Sequence, residues 1–205
     1  MYKEKLKSKK KLEYFLYKVF KGNIDKCSDQ IIKNIKIKEK KIKFLSTLNT
    51  NSLLLLESDD KFKDALGVSH WIIPDGFGAI ISCKCLGLKI RQRISGTDIF
   101  NEVNYKLNKL KNYKYLFFGS TKKTLGLIVN KMNSDYPNIK ITGCLSPPFK
   151  NTFNKIETNK MINLINKKKP DVLWVGLTQP RMEKWIYENL KKIDVKFVGA
   201  IGAVF

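Results

Sequence analysis

The hydrophobic positions of this chain change period repeatedly along its length. Apolar residues at helical spacing alternate with short continuous apolar runs, which is the pattern of strands and helices in turn. Between Lys11 and Phe20, Leu12, Phe15, Leu16 and Val19 predict a helix, which Gly22 interrupts; Ser28 is placed to cap a second short helix through Ile31, Ile32 and Ile35. Strands are predicted at Ile42–Leu48, His70–Ile73, Tyr115–Phe118, Ile139–Thr142, Val172–Gly176 and Lys196–Ile201. Helices fall between them at Ser52–Leu66, Gly78–Leu86, Thr97–Lys111, Thr121–Asn133, Glu157–Lys168 and Arg181–Ile193. Such alternation implies an α/β fold with a mainly parallel sheet and helices on both faces.

One strand end stands out. In Ile72-Ile73-Pro74-Asp75-Gly76-Phe77-Gly78 a carboxylate follows an apolar run and is followed at once by glycine. Pro74 lacks an N–H and is expected to stop the strand, and Gly76 and Gly78 open backbone geometries closed to other residues. In an open α/β sheet, ligands bind beyond the carboxyl ends of strands, so Asp75 is a candidate chemical group. The same residues also suit a plain Asp-Gly turn.

Composition narrows the partners. With 205 residues and 43% hydrophobic positions, the chain can bury the core of one domain. The net charge of +22 would suit a polyanion, but only Arg91, Arg93 and Arg181 are arginines and the rest of the excess is lysine spread along the chain. Nucleic-acid sites lean on the bidentate arginine fork, so a solvated basic surface is expected and no nucleic-acid partner. Cys27, Cys83, Cys85 and Cys144 lack paired spacing, and with the single His70 they make no zinc motif; free thiols and a reducing cytosol are expected. The first residues, Met1 to Lys11, are basic without the apolar core of a signal peptide, and no apolar run is long enough to span a bilayer. Lysines can still hold the protein against an anionic membrane.

Three predicted strands pass into helices through small polar residues: Ser46-Thr47-Leu48-Asn49-Thr50, Gly119-Ser120-Thr121 and Gly176-Leu177-Thr178-Gln179-Pro180. Helix N-termini offer free N–H groups and a positive dipole end, suited to a diphosphate, although Ser, Thr and Asn also simply cap helices. There is no GxGxxG after a strand and no P-loop. In Arg93-Ile94-Ser95-Gly96-Thr97-Asp98 a scarce arginine precedes a capping-type acid; Arg93 is the candidate for a phosphate or carboxylate. Arg181 and Glu183 open a predicted helix with an apolar stripe at Ile186, Leu190 and Ile193.

Taken in order, these motifs resemble the bacterial WecG/TagA/CpsF glycosyltransferase family from about Phe20 to Phe205, with Pro170-Asp171 through Lys184-Trp185 and Gly202-Ala203-Val204-Phe205 completing the series. The resemblance implies a Rossmann-like fold and an inverting, metal-independent enzyme with no cofactor. It would move an N-acetylmannosamine-type or related sugar from a UDP donor to a polyprenyl-diphosphate-linked sugar, in teichoic acid, capsule or other surface polysaccharide synthesis. The expected place is the cytoplasmic face of the cell membrane, peripherally bound, with self-association left open. By resemblance Asp75 is the general base, with Thr47 beside it; Thr47 and Asn49 contact the donor sugar. Gly76, Arg93, Asp98, Gly119, Ser120, Gly176, Gln179 and Glu183 complete the expected substrate-binding set.

The resemblance departs at two places. Met182 stands where the family commonly has a glutamine, and Gln179 lies three residues earlier. Family members also continue past the Val-Phe pair with an aspartate and an appendage that closes the site and meets the membrane. The chain is therefore expected to be a basic leader over 1–19 and one glycosyltransferase domain over 20–205 without that appendage. Its last strand is either followed by a removed segment or is the edge of a shortened domain. A non-catalytic nucleotide-sugar or polyanion-binding module is the alternative function.

Overall fold

Residues one apart in a strand face opposite sides of a sheet, and here both sides are apolar, as a sheet covered on both faces requires. The computed structural model describes residues 12–37 and 42–204; the basic residues 1–11 and Phe205 lie outside it. Among the described residues six strands form one sheet: β1 (Lys43–Leu48), β2 (Trp71–Pro74), β3 (Lys114–Gly119), β4 (Lys140–Leu145), β5 (Val172–Gly176) and β6 (Phe197–Ala200). Their order is β2-β1-β6-β5-β3-β4, and every neighbouring pair is parallel.

The helices are α1 (12–18), α2 (Ile24–Lys36), α3 (Thr50–Ser58), α4 (Asp60–Gly67), α5 (Phe77–Cys85), α6 (Gly96–Leu110), α7 (Lys122–Asp135), α8 (Lys155–Lys168) and α9 (Arg181–Asn189). On one sheet face, Leu45, Trp71, Ile73, Tyr115, Phe117, Trp174 and Phe197 pack with residues of α2, α6 and α7. On the other, Phe44, Leu116, Phe118, Leu173, Val175 and Val198 meet α8 and α9. Leu48 and Ile72, at the β1–β2 edge of that second face, meet α1, α3, α4 and α5. The helix of the basic leader thus packs on the sheet edge through Phe15, Leu16 and Val19, and the Phe20 N–H donates to the Ile72 carbonyl at 2.8 Å.

Four details differ from expectation. The helix expected over Ser52–Leu66 is two, because Asp59 closes α3 with its N–H on the Leu55 carbonyl and opens α4 by accepting the Phe62 N–H on its side chain. Asn23, not Ser28, caps α2; Ser28 lies inside the helix, buried, with its Oγ donating to the Asp25 carbonyl. The strand ends at Pro74 as expected, but Pro74 belongs to it: it pairs in register with Leu48, and the Asp75 N–H donates to the Leu48 carbonyl at 2.8 Å. The last strand is no edge, since β6 lies between β1 and β5 in the middle of the sheet.

That insertion of β6 fixes where a site can form. The chain builds β1 and β2 outward on one side and β3 and β4 on the other, then returns through β5 to β6. The carboxyl ends of β2, β1, β6 and β5 lie side by side around the point where the order reverses, which is where open α/β sheets bind ligands.

Candidate active site

A cleft of about 610 Å³ opens beyond those four strand ends. β1 supplies Thr47, the residue after the strand is Asn49, and the first turn of α3 supplies Asn51; Asp75 follows directly on β2; the end of β5 and the turn after it supply Gly176, Leu177, Thr178 and Gln179; and Ile201, Gly202 and Val204 follow β6. The start of α6 closes one wall with Ser95, Gly96 and Thr97.

Asp75 reaches this cleft for a local reason. Trp71 and Ile73 point into the core shared with Leu45, so strand alternation sends Asp75 and Thr47 to that same side, just past the last apolar layer. The chain then leaves the strand through Gly76, whose φ of 138° is open to glycine and strained for other residues. The Asp75 carboxylate is half-buried and held from two directions. Its Oδ2 accepts the Gly96 N–H at 3.4 Å, at the positive end of α6, and its Oδ1 lies 3.5 Å from Arg93 Nη1. Its pKa is raised from its ordinary value by burial, while the Gly96 N–H and Arg93 pull it down and Asp98 pushes it up. A carboxylate made more basic by burial yet kept in place by two donors is suited to taking a proton.

The opposite wall is a polar relay. The side chain of Asn49 accepts the Ser52 N–H and the Ser52 Oγ receives the Asn49 N–H, a capping box that starts α3. Gln179 Nε2 lies 3.0 Å from Ser52 Oγ and donates to Glu183 Oε1 at 3.1 Å, while its Oε1 accepts from Asn51 Nδ2 at 3.2 Å. Glu183 is fully buried, and burial pushes its pKa up to about 7 against the weaker pull of its own N–H and Gln179. Met182, 2% exposed, forms an apolar part of the wall near Gly202.

Among the described residues no group of three or more His, Cys, Asp or Glu side chains is placed to hold a metal ion. No described helix is long and apolar enough to cross a membrane.

Over residues 14–205 the sequence matches the family described as "Glycosyl transferase WecG/TagA/CpsF family". The chain belongs to that family. It is 31% identical over 143 residues to the N-acetylglucosaminyldiphosphoundecaprenol N-acetyl-beta-D-mannosaminyltransferase of Bacillus subtilis strain 168, covering 70% of this chain and 53% of that protein. A protein of the same name from Bacillus spizizenii is 24% identical over 145 residues, 71% of this chain and 54% of the other. One from Staphylococcus aureus strain MRSA252 is 21% identical over 183 residues, 84% and 67%. The chain spans about half the length of the Bacillus relatives it matches.

Within this WecG/TagA/CpsF domain the expected site residues fall into three groups. Thr47, Asn49, Asp75, Gly176 and Gln179 line the cleft. Arg93, Gly76 and Glu183 stand behind it: Arg93 on Asp75, Gly76 against Asn49, and Glu183 on Gln179. Asp98, Gly119 and Ser120 are outside its lining. Asp98 completes a capping box on α6, accepting the Ser95 N–H at 2.8 Å. Gly119 is packed on Gly176, where a Cβ would run into the Gly176 carbonyl, and the Ser120 carbonyl accepts from Ser146 Oγ.

Sequence reasoning singled out neither Asn51 nor Gly96 nor Thr178. The Ser95-x-x-Asp98 box was the available signal for Gly96, since it fixes which N–H groups at the start of α6 stay free to face a ligand or a carboxylate.

Proposed function

We propose that this domain performs inverting glycosyl transfer, from a UDP-linked N-acetylmannosamine-type sugar to a sugar carried on a polyprenyl diphosphate. The observation that carries the reading is the Asp75 carboxylate, half-buried at a strand end and held by Arg93 and the α6 N-terminus in a cleft that also contains Thr47 and Asn49. The family membership and the names of the relatives supply the reaction class and the form of the acceptor.

In this mechanism the Asp75 carboxylate takes the proton of the acceptor hydroxyl. The freed oxygen forms a bond to the anomeric carbon of the donor from the face opposite the nucleotide. The bond from that carbon to the phosphate oxygen breaks, and UDP leaves with its electron pair, which inverts the anomeric configuration. Thr47 and Asn49 hold the sugar hydroxyls or acetamido group. Arg93, paired with Asp75 behind the cleft wall, and the N–H groups at the start of α6 offset negative charge as it grows on the departing diphosphate. The acceptor is lipid-anchored, so the protein works peripherally at the inner membrane surface.

The test is a product experiment. A panel of UDP-sugars is incubated with the domain and a synthetic prenyl-diphosphate N-acetylglucosamine, and products are read by mass spectrometry and NMR. A disaccharide with inverted anomeric configuration is expected. Retained configuration contradicts the single-displacement reading, and tight UDP binding with no product supports a non-catalytic nucleotide-sugar module, for which the apolar Met182 in the cleft wall would be the reason.

A further inference from the structure

The helix that follows Asp75 has two apolar faces. Ala79 and Cys83 of α5 are buried in the edge core. On its outer side, Phe77 is 75% exposed and Ile81 58% exposed, one turn apart, with Lys84 and Cys85 exposed on the next turn. A surface helix ordinarily turns charged or polar residues to water, yet α5 carries one charge in nine residues and presents its largest side chains outward. Neighbouring α3 adds a third exposed apolar residue: Gly78 packs on Thr50, and Leu54, one turn beyond Thr50, is 65% exposed.

The charge on the α5 side of this face has one sign. From Gly76 to Arg93 the chain holds Lys84, Lys89, Arg91 and Arg93 and no acid, although two of its three arginines fall here. Lys89, Arg91 and Arg93 are all exposed, and Arg93 also pairs with Asp75. With Asp75 just before it, the segment joins an apolar outer face, a cationic rim and the candidate base within nineteen residues.

We propose that the outer face of α5, with the cationic segment Lys84–Arg91, is the surface by which this domain docks on an anionic lipid bilayer. The inference rests on the lipid-linked acceptor proposed above and names the part of the protein that meets the lipid. An exposed apolar stripe with lysine and arginine beside it and no acid matches an interfacial helix: the apolar side chains enter the acyl boundary and the cations meet acidic headgroups. The position is also what the chemistry needs. An acceptor whose prenyl chain stays in the bilayer can bring its sugar to Asp75 only if the lipid surface lies beside the cleft, and α5 starts two residues after Asp75.

The protein carries its own reporter. Cys85 lies on the outer face of α5, one turn beyond Ile81, while Cys144 is exposed on β4 at the opposite edge of the sheet. The rate at which a membrane-impermeant maleimide modifies each thiol is followed by peptide mass spectrometry, with and without vesicles of phosphatidylglycerol and phosphatidylcholine in equal parts. Vesicles are expected to slow Cys85 at least about tenfold and leave Cys144 unchanged, a size set by withdrawing large apolar side chains from lipid. Phe77→Ser with Ile81→Ser should abolish the protection with an unchanged melting temperature. Lys84→Gln with Lys89→Gln and Arg91→Gln should weaken it, as should added salt.

Equal Cys85 rates with and without vesicles would overturn the proposal. So would Cys85 protection that appears on raising protein concentration without lipid, which would make the face a contact between copies. UDP titration of the same preparation separates this proposal from the one before it. Absent UDP binding with Cys85 protected defeats the transferase reading alone, and UDP binding with Cys85 unprotected defeats the docking surface alone.

Discussion

Arg93 Nη1 stands 3.5 Å from Asp75 Oδ1, and the other oxygen of the same carboxylate accepts the Gly96 N–H at 3.4 Å. The carboxylate whose pKa burial raises is thereby held nearer its ionised, proton-accepting form, and it is aimed by groups from the loop before α6 and from α6 itself.

Removing Arg93 should therefore move a pH profile in a definite direction. Burial already raises the Asp75 pKa and Arg93 lowers it, so Arg93→Ala should raise it further. The base is active when ionised, so the acid limb of kcat/KM should shift to higher pH. kcat should also fall by about 10²-fold through loss of charge stabilisation on the leaving diphosphate. Arg93→Lys should restore part of the limb position and less of the rate, because lysine keeps the charge and loses the fork. An unmoved acid limb in Arg93→Ala would assign that limb to another group.

Gly119 should affect folding rather than substrate affinity. Its φ is 136°, and a Cβ would collide with the Gly176 carbonyl on the neighbouring strand. Gly119→Ala combines backbone strain with a clash against backbone, and a destabilisation of about 2 kcal/mol or more is expected in urea unfolding. The KM for donor, measured well below the melting temperature, should change little.

Much of this was visible in the chain itself. Asp75, Thr47, Asn49, Gly176 and Gln179 sit at strand ends that hydrophobic runs mark clearly, and the structure gathers them because β1, β2 and β5 end at one crevice. Gly119 and Ser120 look equivalent in sequence but end β3, on the far side of β5 from β6, and miss the cleft. Nothing local tells β3 from β5; only the strand order does. The central place of β6 was likewise hidden, since a terminal strand carries no signal of its neighbours. The division at Asp59 escaped notice because Leu53 to Leu56 and Phe62 to Leu66 keep an apolar rhythm across it, while one aspartate both ends a helix and caps the next. Pro74 is the last residue of β2 rather than the first beyond it for a geometric reason: the ladder to β1 takes its next N–H from Asp75, so proline at residue 74 costs it nothing there.

Glu183 makes stability depend on pH in a way that one substitution isolates. Its folded pKa is about 7 against an ordinary 4.5. Between those values the unfolded chain gives up this proton and the folded one keeps it, so the group's contribution to stability is greatest at low pH and is lost as pH rises. Over the whole window the loss is on the order of 3 kcal/mol. Glu183→Gln removes it, so the variant should gain on the wild type by roughly that amount between pH 4 and pH 8 in urea unfolding. His70, held neutral by burial with a pKa of about 4, acts in the opposite sense below its ordinary value of 6.5 and cancels between the two proteins. A constant difference across pH would show that Glu183 ionises normally in the fold.

The role of Asp75 is tested most directly by Asp75→Asn. The substitution keeps the shape of the side chain and removes the base, and the variant is assayed for sugar transfer from the UDP donor to the lipid-linked acceptor beside a calorimetric UDP titration. Transfer should fall by about 10²- to 10⁴-fold, the range a positioned general base contributes, with UDP affinity within a few-fold of wild type. Near wild-type transfer by Asp75→Asn would contradict the account.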